Sequence, residues 1–186
     1  MPHVIIEPTI ISDVLLMKSR IFGDDRGFFL ETWSAEGFEE AGLDVQFVQD
    51  NWSRSDRGVL RGLHYQRNHT QGKLVRCMAG SVYDVAVDIR RSSESFGRWV
   101  GVVLSGENKH ALWIPPGFAH GFLALTDGVD FCYKCSDIYD PGSEETISWD
   151  DPEIGIEWPI DADLRPQLSD KDLNTGRRLS ESPCLP

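Results

Sequence analysis

Residues 83–90 read Tyr-Asp-Val-Ala-Val-Asp-Ile-Arg, and their hydrophobicity alternates with a period of two. One set of alternate positions is wholly apolar, and the other contains Asp84, Asp88 and Arg90. Successive side chains of a β-strand point to opposite faces of the sheet, so this pattern predicts a strand with one apolar and one mostly polar face.

Short segments of the same kind occur on both sides of this strand. The predicted strands are 27–33, 99–104, 111–114, 122–126 and 130–133. Asp127-Gly128 lies between the last two and predicts a hairpin, because this dipeptide favours tight two-residue turns. Helix signals are confined to residues 35–41, which follow Ser34, and to a short stretch from Leu173. Many short strands joined by Gly- and Pro-containing turns predict an all-β sandwich or barrel with a few short helices.

The bulk properties narrow the possible functions. A chain of 186 residues without an evident linker predicts a single domain over 1–186, with a loose C-terminal tail at about 180–186. The net charge of −12 argues against nucleic-acid binding, which needs clustered Lys and Arg. No apolar run approaches the roughly 18 residues of a membrane span. The start, Met1–Glu7, lacks the features of a signal peptide, so we expect a cytoplasmic protein.

Several familiar chemistries lack their sequence signals. The chain contains no G-x-G-x-x-G fingerprint, no P-loop and no G-x-S-x-G elbow, which disfavours nicotinamide chemistry and serine hydrolysis. Cys132 and Cys135 form a C-x-x-C motif, but no second cysteine pair completes a zinc site. The motif lies in a strand-like run, so we expect reduced thiols that pack as small hydrophobic groups.

Polar residues suited to catalysis concentrate in three neighbouring segments, 49–53, 58–66 and 71–76. A neutral His64 could act as a general base, and Lys73 could stabilise a developing oxyanion. Arg61 suits a phosphate group, because guanidinium binds phosphate with two parallel hydrogen bonds. In a regular strand Arg61 and His64 would face opposite sides of the sheet. By itself, His64 could equally be a hydrogen-bonded structural residue.

The segment Pro115–His120 matches the second cupin motif, P-x-G-x-x-H. Many cupins bind a metal through an H-x-H pair and a Glu from their first motif, but no H-x-H occurs in this chain. His64, His69 and His120 could form a three-histidine site only if the segment around His69 were held in fixed geometry. We therefore predict that no metal is bound.

Over the range Ile10–Asp172 the chain resembles the dTDP-4-dehydrorhamnose 3,5-epimerase family of the cupin superfamily. The resemblance rests on many ordered matches rather than on one short motif. The matching segments are 22–29, 47–51, 59–66, 71–76, 82–90, 114–122, 133–134, 155–159 and 168–172.

The resemblance implies a cupin-type jelly-roll β-barrel, a homodimer, no metal and no organic cofactor. It implies an epimerase that inverts C3 and C5 of dTDP-4-dehydro-6-deoxy-D-glucose, also called dTDP-4-keto-6-deoxyglucose, through an enolate, giving dTDP-4-dehydro-L-rhamnose. His64 would be the base, paired with Asp172; Tyr133 would be the acid and Lys73 would hold the carbonyl oxygen. The implied substrate contacts are Arg26, Glu31, Gln49, Asn51, Arg61, His120, Glu144 and Lys171.

Other functions remain open from the sequence, although a 3,4-ketoisomerase is disfavoured because such enzymes are more distant relatives. A single-site epimerase acting only at C3 or only at C5 could use the same base. A metal-dependent cupin oxygenase would bind iron. A non-catalytic sugar-nucleotide-binding cupin would bind the ligand without exchanging its protons, although pure binding does not require both a base and an acid. Individually, Tyr133 could be a packing residue, and Asp172 could cap a helix that begins near residue 173.

Overall fold

The computed structural model describes residues 3–161 and 164–186, so Met1, Pro2, Ala162 and Asp163 lie outside the described residues. The described chain is built mainly of short strands. These are β1 (Val4–Pro8), β2 (Leu15–Ser19), β3 (Ile21–Asp24), β4 (Gly27–Leu30), β5 (Gln49–Ser55), β6 (Leu60–Gln66), β7 (Lys73–Ala79), β8 (Ser81–Asp88), β9 (Trp99–Ser105), β10 (His110–Ile114), β11 (Phe118–Ala124), β12 (Val129–Cys135) and β13 (Glu144–Thr146). The helices are α1 (Ala35–Glu40), α2 (Asp170–Thr175) and a 3-10 turn at Leu179–Glu181.

The strands form two large antiparallel sheets and one small hairpin. The first sheet has the order β1-β2-β10-β7-β12-β5, and the second has the order β13-β6-β11-β8-β9. Strands β3 and β4 pair only with each other. The predicted all-β jelly-roll fold with a few short helices is confirmed, although the two sheets face each other without closing into a continuous barrel.

The main hydrophobic core lies between the two large sheets. It combines Val75 and Phe131 of the first sheet with Phe122 and Leu104 of the second, and each of these side chains is almost fully buried. A second cluster covers the outer face of the second sheet, and a third lies between the first sheet and α1. The second sheet is therefore covered on both faces.

Burial on both faces explains why the polar face predicted for β8 is not exposed to solvent. Asp84 and Asp88 are both fully buried, although their alternation with apolar residues is the one predicted. Alternation therefore located the strand correctly but did not identify what its polar side contacts.

The predicted hairpin at Asp127-Gly128 is wrong. Strand β11 pairs with β6 and β8, whereas β12 pairs with β5 and β7, so the two strands belong to different sheets. The Asp-Gly turn carries the chain from one sheet to the other. An Asp-Gly turn can join two paired strands of a hairpin or two strands of different sheets, so the turn residues alone do not decide the pairing. The pairing is decided by which strands can cover the hydrophobic core.

The helices lie close to their predicted positions. Helix α1 begins after Ser34, whose side chain bonds to Glu31 rather than capping the helix, and ends before Gly42 at a φ of +97°. Helix α2 begins three residues before Leu173, because Ser169 accepts a hydrogen bond from the Asp172 backbone N–H and serves as the N-cap.

The C-terminal residues differ from the predicted loose tail. The backbone of Leu185 bonds to Ile89 and to Arg91, and Ser182 is buried. This segment covers the apolar outer face of the second sheet, where Leu179 packs in the second hydrophobic cluster. The removal of apolar surface from water accounts for the ordering of the segment.

Replacing Leu104 by Ala should destabilise the fold by about 2–5 kcal/mol, because Leu104 is fully buried and its loss leaves a cavity between the sheets. Its neighbour Val103 points out of the same strand and is 48% exposed, so Val103→Ala is the matched control and should cost less than about 1 kcal/mol. Urea unfolding of both variants measures the difference, and equal losses would contradict the assigned core.

Candidate active site

A cavity of about 480 Å³ opens beside the core, between the two sheets and the segment that leads into α2. Its wall combines polar side chains with the aromatic rings of the core. The lining residues are Ser53, Val59, Leu60, Arg61, His64, Lys73, His120, Phe122, Phe131, Tyr133, Gln167, Leu168, Ser169, Lys171 and Asp172. The catalytic set predicted from the resemblance therefore lies in one cavity.

An irregularity in β6 turns Arg61 and His64 toward this cavity. His64 pairs with His120 and Arg61 with Phe122, so β6 uses one residue more than β11 over the same length. The extra residue accommodates Gly62, which has a φ of +119° and on which a Cβ would lie 2.6 Å from the Gly121 Cα. The prediction that Arg61 and His64 face opposite sides is wrong, because this bulge interrupts the alternation.

His64 is held by a carboxylate from a distant part of the chain. Its Nε2 lies 2.6 Å from Asp172 Oδ1, and the two residues are 108 positions apart. The Asp172 side chain is 4% exposed and that of His64 is 26% exposed. Burial favours the neutral carboxyl, but several smaller effects, led by the hydrogen bond from His64, together outweigh it and keep the pKa of Asp172 below its usual value. This bond fixes the imidazole so that Nδ1 is left available for chemistry.

A second, smaller cavity of about 250 Å³ adjoins the first. His64, Lys73 and Tyr133 line both, so these three side chains lie where the two cavities meet. The other residues that line the smaller cavity are Gln49, Asn51, Tyr65, Gln66, Gln71, Tyr139 and Glu144. An elongated ligand could therefore extend from one cavity to the other past His64.

Desolvation dominates the electrostatics at this meeting point. It lowers the pKa of the Lys73 ammonium, an effect that the nearby acidic groups of Cys135, Glu144 and Asp84 only partly oppose. It also raises the pKa of the Tyr133 hydroxyl. The site therefore holds a tyrosine that keeps its proton and a lysine whose charge is costly in the absence of an anion.

Glu144 lines the smaller cavity, and Lys171 lines the larger one beside it. Lys171 and Glu144 form an ion pair, and the Tyr139 hydroxyl donates to Glu144 Oε2 at 2.7 Å. Burial opposes ionisation of Glu144, but these two partners leave its pKa below the usual value. The same bond to Glu144 raises the pKa of Tyr139 to about 12.

Two amides line the adjacent wall and are themselves ordered by hydrogen bonds. Gln49 Nε2 donates to Asn51 Oδ1 at 3.0 Å, and the Tyr139 backbone N–H donates to Gln49 Oε1 at 2.9 Å. Both amides therefore have defined orientations toward the cavity.

Arg61 and His120 occupy the larger cavity with partners of their own. Arg61 Nε donates to Ser55 Oγ at 3.1 Å and its Nη2 to the Arg54 carbonyl oxygen at 3.2 Å. His120 Nε2 lies 2.9 Å from Asp84 Oδ2, and the His120 ring stacks on Phe131. Both side chains are thus held in place without a ligand.

Two predicted substrate contacts lie outside both cavities. Arg26 lies in the turn between β3 and β4, where it pairs with Asp24 and its side chain is 89% exposed. Glu31 follows β4 and accepts a hydrogen bond from Ser34 Oγ at 2.6 Å. Within one chain these residues therefore do not meet the other predicted contacts.

Sequence reasoning missed Tyr139, Gln71, Ser53 and Asp84 as residues at or beside the cavities. Asp84 lies on the polar face that the alternation predicts, but only the structure shows that this face is buried, so that an acidic residue there needs a polar partner. Tyr139 lies in a loop and carries no comparable local signal.

The described residues contain no group of three or more His, Cys, Asp or Glu side chains arranged to hold a metal ion. His69, the third histidine of the alternative metal site, instead lies 3.3 Å from Asp137 and lines neither of the two cavities. All four cysteines are free, and burial raises the pKa of the Cys132 and Cys135 thiols. Neither thiol has the lowered pKa of an activated nucleophile.

Comparison with known proteins identifies the family. The family model described as dTDP-4-dehydrorhamnose 3,5-epimerase matches residues 8–180. A protein of that name from Pseudomonas aeruginosa is 55% identical over 178 residues, which cover 95% of this chain and 96% of the relative. Its counterpart from Shigella flexneri is 57% identical over 168 residues, which cover 89% of this chain and 91% of the relative.

A solved structure agrees with these sequence matches. The dTDP-6-deoxy-D-glucose-3,5-epimerase of Legionella pneumophila, in complex with dTDP-4-keto-L-rhamnose, superposes with a TM-score of 0.92 at 52% identity. The match covers 96% of this chain and 94% of the other. The predicted family and enzyme class are therefore confirmed: this chain belongs to the dTDP-4-dehydrorhamnose 3,5-epimerase family.

Proposed function

We propose that this chain inverts C3 and C5 of dTDP-4-dehydro-6-deoxy-D-glucose and forms dTDP-4-dehydro-L-rhamnose. The observation that carries the proposal is the partly buried His64–Asp172 pair, which opens on the same cavity as Lys73 and Tyr133. A base, an acid and a cation in one pocket suit a reaction that removes and returns a proton beside a carbonyl group.

His64 is the base. The C4 ketone of the sugar acidifies the hydrogens at C3 and C5, and the Nδ1 lone pair of His64 accepts one of them. Asp172 holds the Nε2 side of the ring at 2.6 Å and stabilises the imidazolium that results. This is the part an aspartate plays beside the histidine of hydrolase triads.

Lys73 stabilises the enolate. Loss of the proton places negative charge on the C4 oxygen, and a cation in a poorly solvated pocket interacts strongly with charge that develops there. Without substrate, burial lowers the pKa of Lys73 because the charge of its ammonium is poorly solvated. An anion beside the ammonium compensates for this lost solvation. The interaction is stronger in the transition state than with the neutral ketone, and it therefore accelerates the reaction.

Tyr133 is the acid that returns a proton from the opposite face of the sugar ring. Desolvation raises the pKa of its hydroxyl, so the proton is present at neutral pH. Delivery from the face opposite His64 inverts the carbon. Proton exchange with solvent then returns His64 to its neutral form and restores the proton of Tyr133, and the same steps at the second carbon give the doubly inverted product.

The remaining polar residues of the two cavities bind the rest of the substrate. Arg61 and Lys171 supply positive charge to a diphosphate in a protein whose net charge is −12. Gln49, Asn51, Glu144 and His120 offer hydrogen bonds to sugar or base groups. No metal or organic cofactor has a step in this mechanism.

The protein acts as a homodimer in this proposal. The β3–β4 hairpin exposes Phe28 and Phe29, which are 61% and 69% exposed, and such apolar surface is typical of an interface. Arg26 at the tip of this hairpin lies outside its own chain's cavities and could bind substrate in the partner's cavity. The same reasoning places Glu31, just after β4, near the partner.

We assign the protein to the cytoplasm. Its four cysteines are free, as is usual where thiols are kept reduced. Over the described residues, no helix is both long and apolar enough to cross a membrane.

Replacing His64 by Ala should strongly slow exchange at C3 and C5. The protein is incubated with dTDP-4-keto-6-deoxyglucose in D₂O, and deuterium at the two carbons is followed by NMR. Wild-type protein should label both carbons, and His64→Ala should lower the rate by about 10²–10⁴-fold because the general base is lost.

His110→Ala is the matched control, since His110 lies on β10 and lines neither cavity. It should label both carbons at the wild-type rate. Label at only one carbon in the wild type would indicate a single-site epimerase. Folded wild-type protein that labels neither carbon would refute the proposed activity.

Mixed dimers test the assignment of Arg26. His64→Ala and Arg26→Ala should each be inactive or weakly active alone. If Arg26 serves the partner's cavity, a co-expressed mixture recovers activity, because a mixed dimer contains one intact cavity; random pairing gives about a quarter of the wild-type rate. A mixture no more active than its components, or a mass in solution equal to one 21.0 kDa chain, argues against this arrangement.

The pH dependence of stability tests the His64–Asp172 pair. The pKa of Asp172 is lower in the folded protein than its ordinary 3.8, so the carboxylate stabilises the fold above that value. This contribution disappears as the pH falls through the lowered pKa. The free energy of unfolding should therefore differ most between wild type and Asp172→Asn at neutral pH, and the difference should shrink below pH 3.8. A difference that is independent of pH would show that the charge has no such role.

A further inference from the structure

Asp84 is a buried carboxylate to which the mechanism above gives no role. It lies on β8, is fully inaccessible to solvent, and has its Oδ2 2.9 Å from His120 Nε2. Its second oxygen, Oδ1, has no hydrogen-bond partner among the described residues. A buried oxygen without a partner costs about 1–3 kcal/mol, so Asp84 is poorly explained as a stabilising residue.

The other buried aspartate of the same strand shows what a structural carboxylate looks like here. Asp88 is also fully buried, but its two oxygens accept hydrogen bonds from Arg90, Ser93 and Ser95. These bonds connect β8 to the following loop. Among the residues that the structure describes, the Asp84 side chain makes no such connection, and its one hydrogen bond goes to His120 in the cavity.

The His120 ring is fixed in two ways. Its plane lies at 16° to the Phe131 ring with centroids 6.2 Å apart, and Asp84 holds its Nε2. The other nitrogen, Nδ1, has no partner within the described parts of the chain, and His120 lines the larger cavity. A carboxylate cannot donate a hydrogen bond, so the 2.9 Å contact requires the proton of a neutral ring to be on Nε2.

We infer that Asp84 is a positioning residue that holds His120 as the Nε2–H tautomer, so that Nδ1 accepts a hydrogen bond from a hydroxyl of the sugar ring. This inference rests on the proposed function for the identity of the ligand, but the tautomer itself does not depend on it. His64 and His120 are directly paired across β6 and β11. The cavity therefore presents two neighbouring imidazoles, each oriented by its own aspartate, one to remove a proton and one to hold the sugar.

Nitrogen NMR of the substrate-free protein labelled with ¹⁵N-histidine tests the inference. The His120 signals are assigned by their loss in His120→Gln. In the wild type they should show the Nε2–H tautomer. In Asp84→Asn the amide can donate to Nε2, so the preference should be lost or reversed. The value of kcat/KM for epimerisation should fall about 10- to 100-fold, since a hydrogen bond to the sugar is weakened.

Asp88→Asn is the matched control, because it removes an equally buried carboxylate from the same strand. It should lower thermal stability more than Asp84→Asn and leave the His120 tautomer unchanged. Three results would overturn the inference. They are a His120 ring in the wild type that is not the Nε2–H tautomer, an unchanged His120 tautomer in Asp84→Asn, and an unchanged kcat/KM despite a changed tautomer. If the Asp84→Asn protein does not fold, the His120 tautomer in the wild-type spectrum decides whether the inference holds. Failure of the proposed function itself would be separate, because it would appear as absence of deuterium label with the wild-type protein.

Discussion

The close contact between Gly62 of β6 and Gly121 of β11 is the constraint on which the cavity depends. A Cβ on Gly62 would lie within 2.7 Å of two backbone atoms of β11, and the positive φ of Gly62 is one that other residues rarely adopt. The bulge at this contact turns Arg61 and His64 to the same side of the sheet, although they are three positions apart. Without it, one of these two side chains would point into the apolar outer face of the second sheet.

The cavity places charged groups where solvent is scarce, and each charge is matched by a partner from another part of the chain. Asp172 comes from α2 to His64, Asp84 from β8 to His120, and Lys171 from α2 to Glu144. Such pairing is necessary because an unpaired buried charge is costly. Lys73 is the exception, since desolvation lowers its pKa and the described residues show no hydrogen-bond partner for its ammonium. A poorly solvated ammonium of this kind is suited to stabilising negative charge that develops only during the reaction.

Helix α2 has few contacts apart from the site. Its Asp172 and Lys171 bond to β6 and β13 residues, and Ser169 caps it at the cavity wall. Helix α2 is therefore held against the cavity mainly by residues that also belong to the site. The same hydrogen bonds that orient the base also hold this wall in place, which couples the stability of the region to the ionisation of Asp172.

The sequence by itself determined the strand-rich architecture, the approximate helix positions and the family, because periodicity and ordered motifs are local properties of the chain. It also identified His64, Lys73, Tyr133 and Asp172 through the resemblance, and all four line one cavity. Only the tertiary structure decided which strands pair, as the Asp127-Gly128 turn shows by joining strands of different sheets. It alone showed that the polar side of β8 is buried, that a bulge aligns Arg61 with His64, and that Arg26 and Glu31 lie outside the cavities. These features depend on contacts between residues far apart in the chain, where the requirement to cover apolar surface and satisfy buried polar groups overrides local pattern.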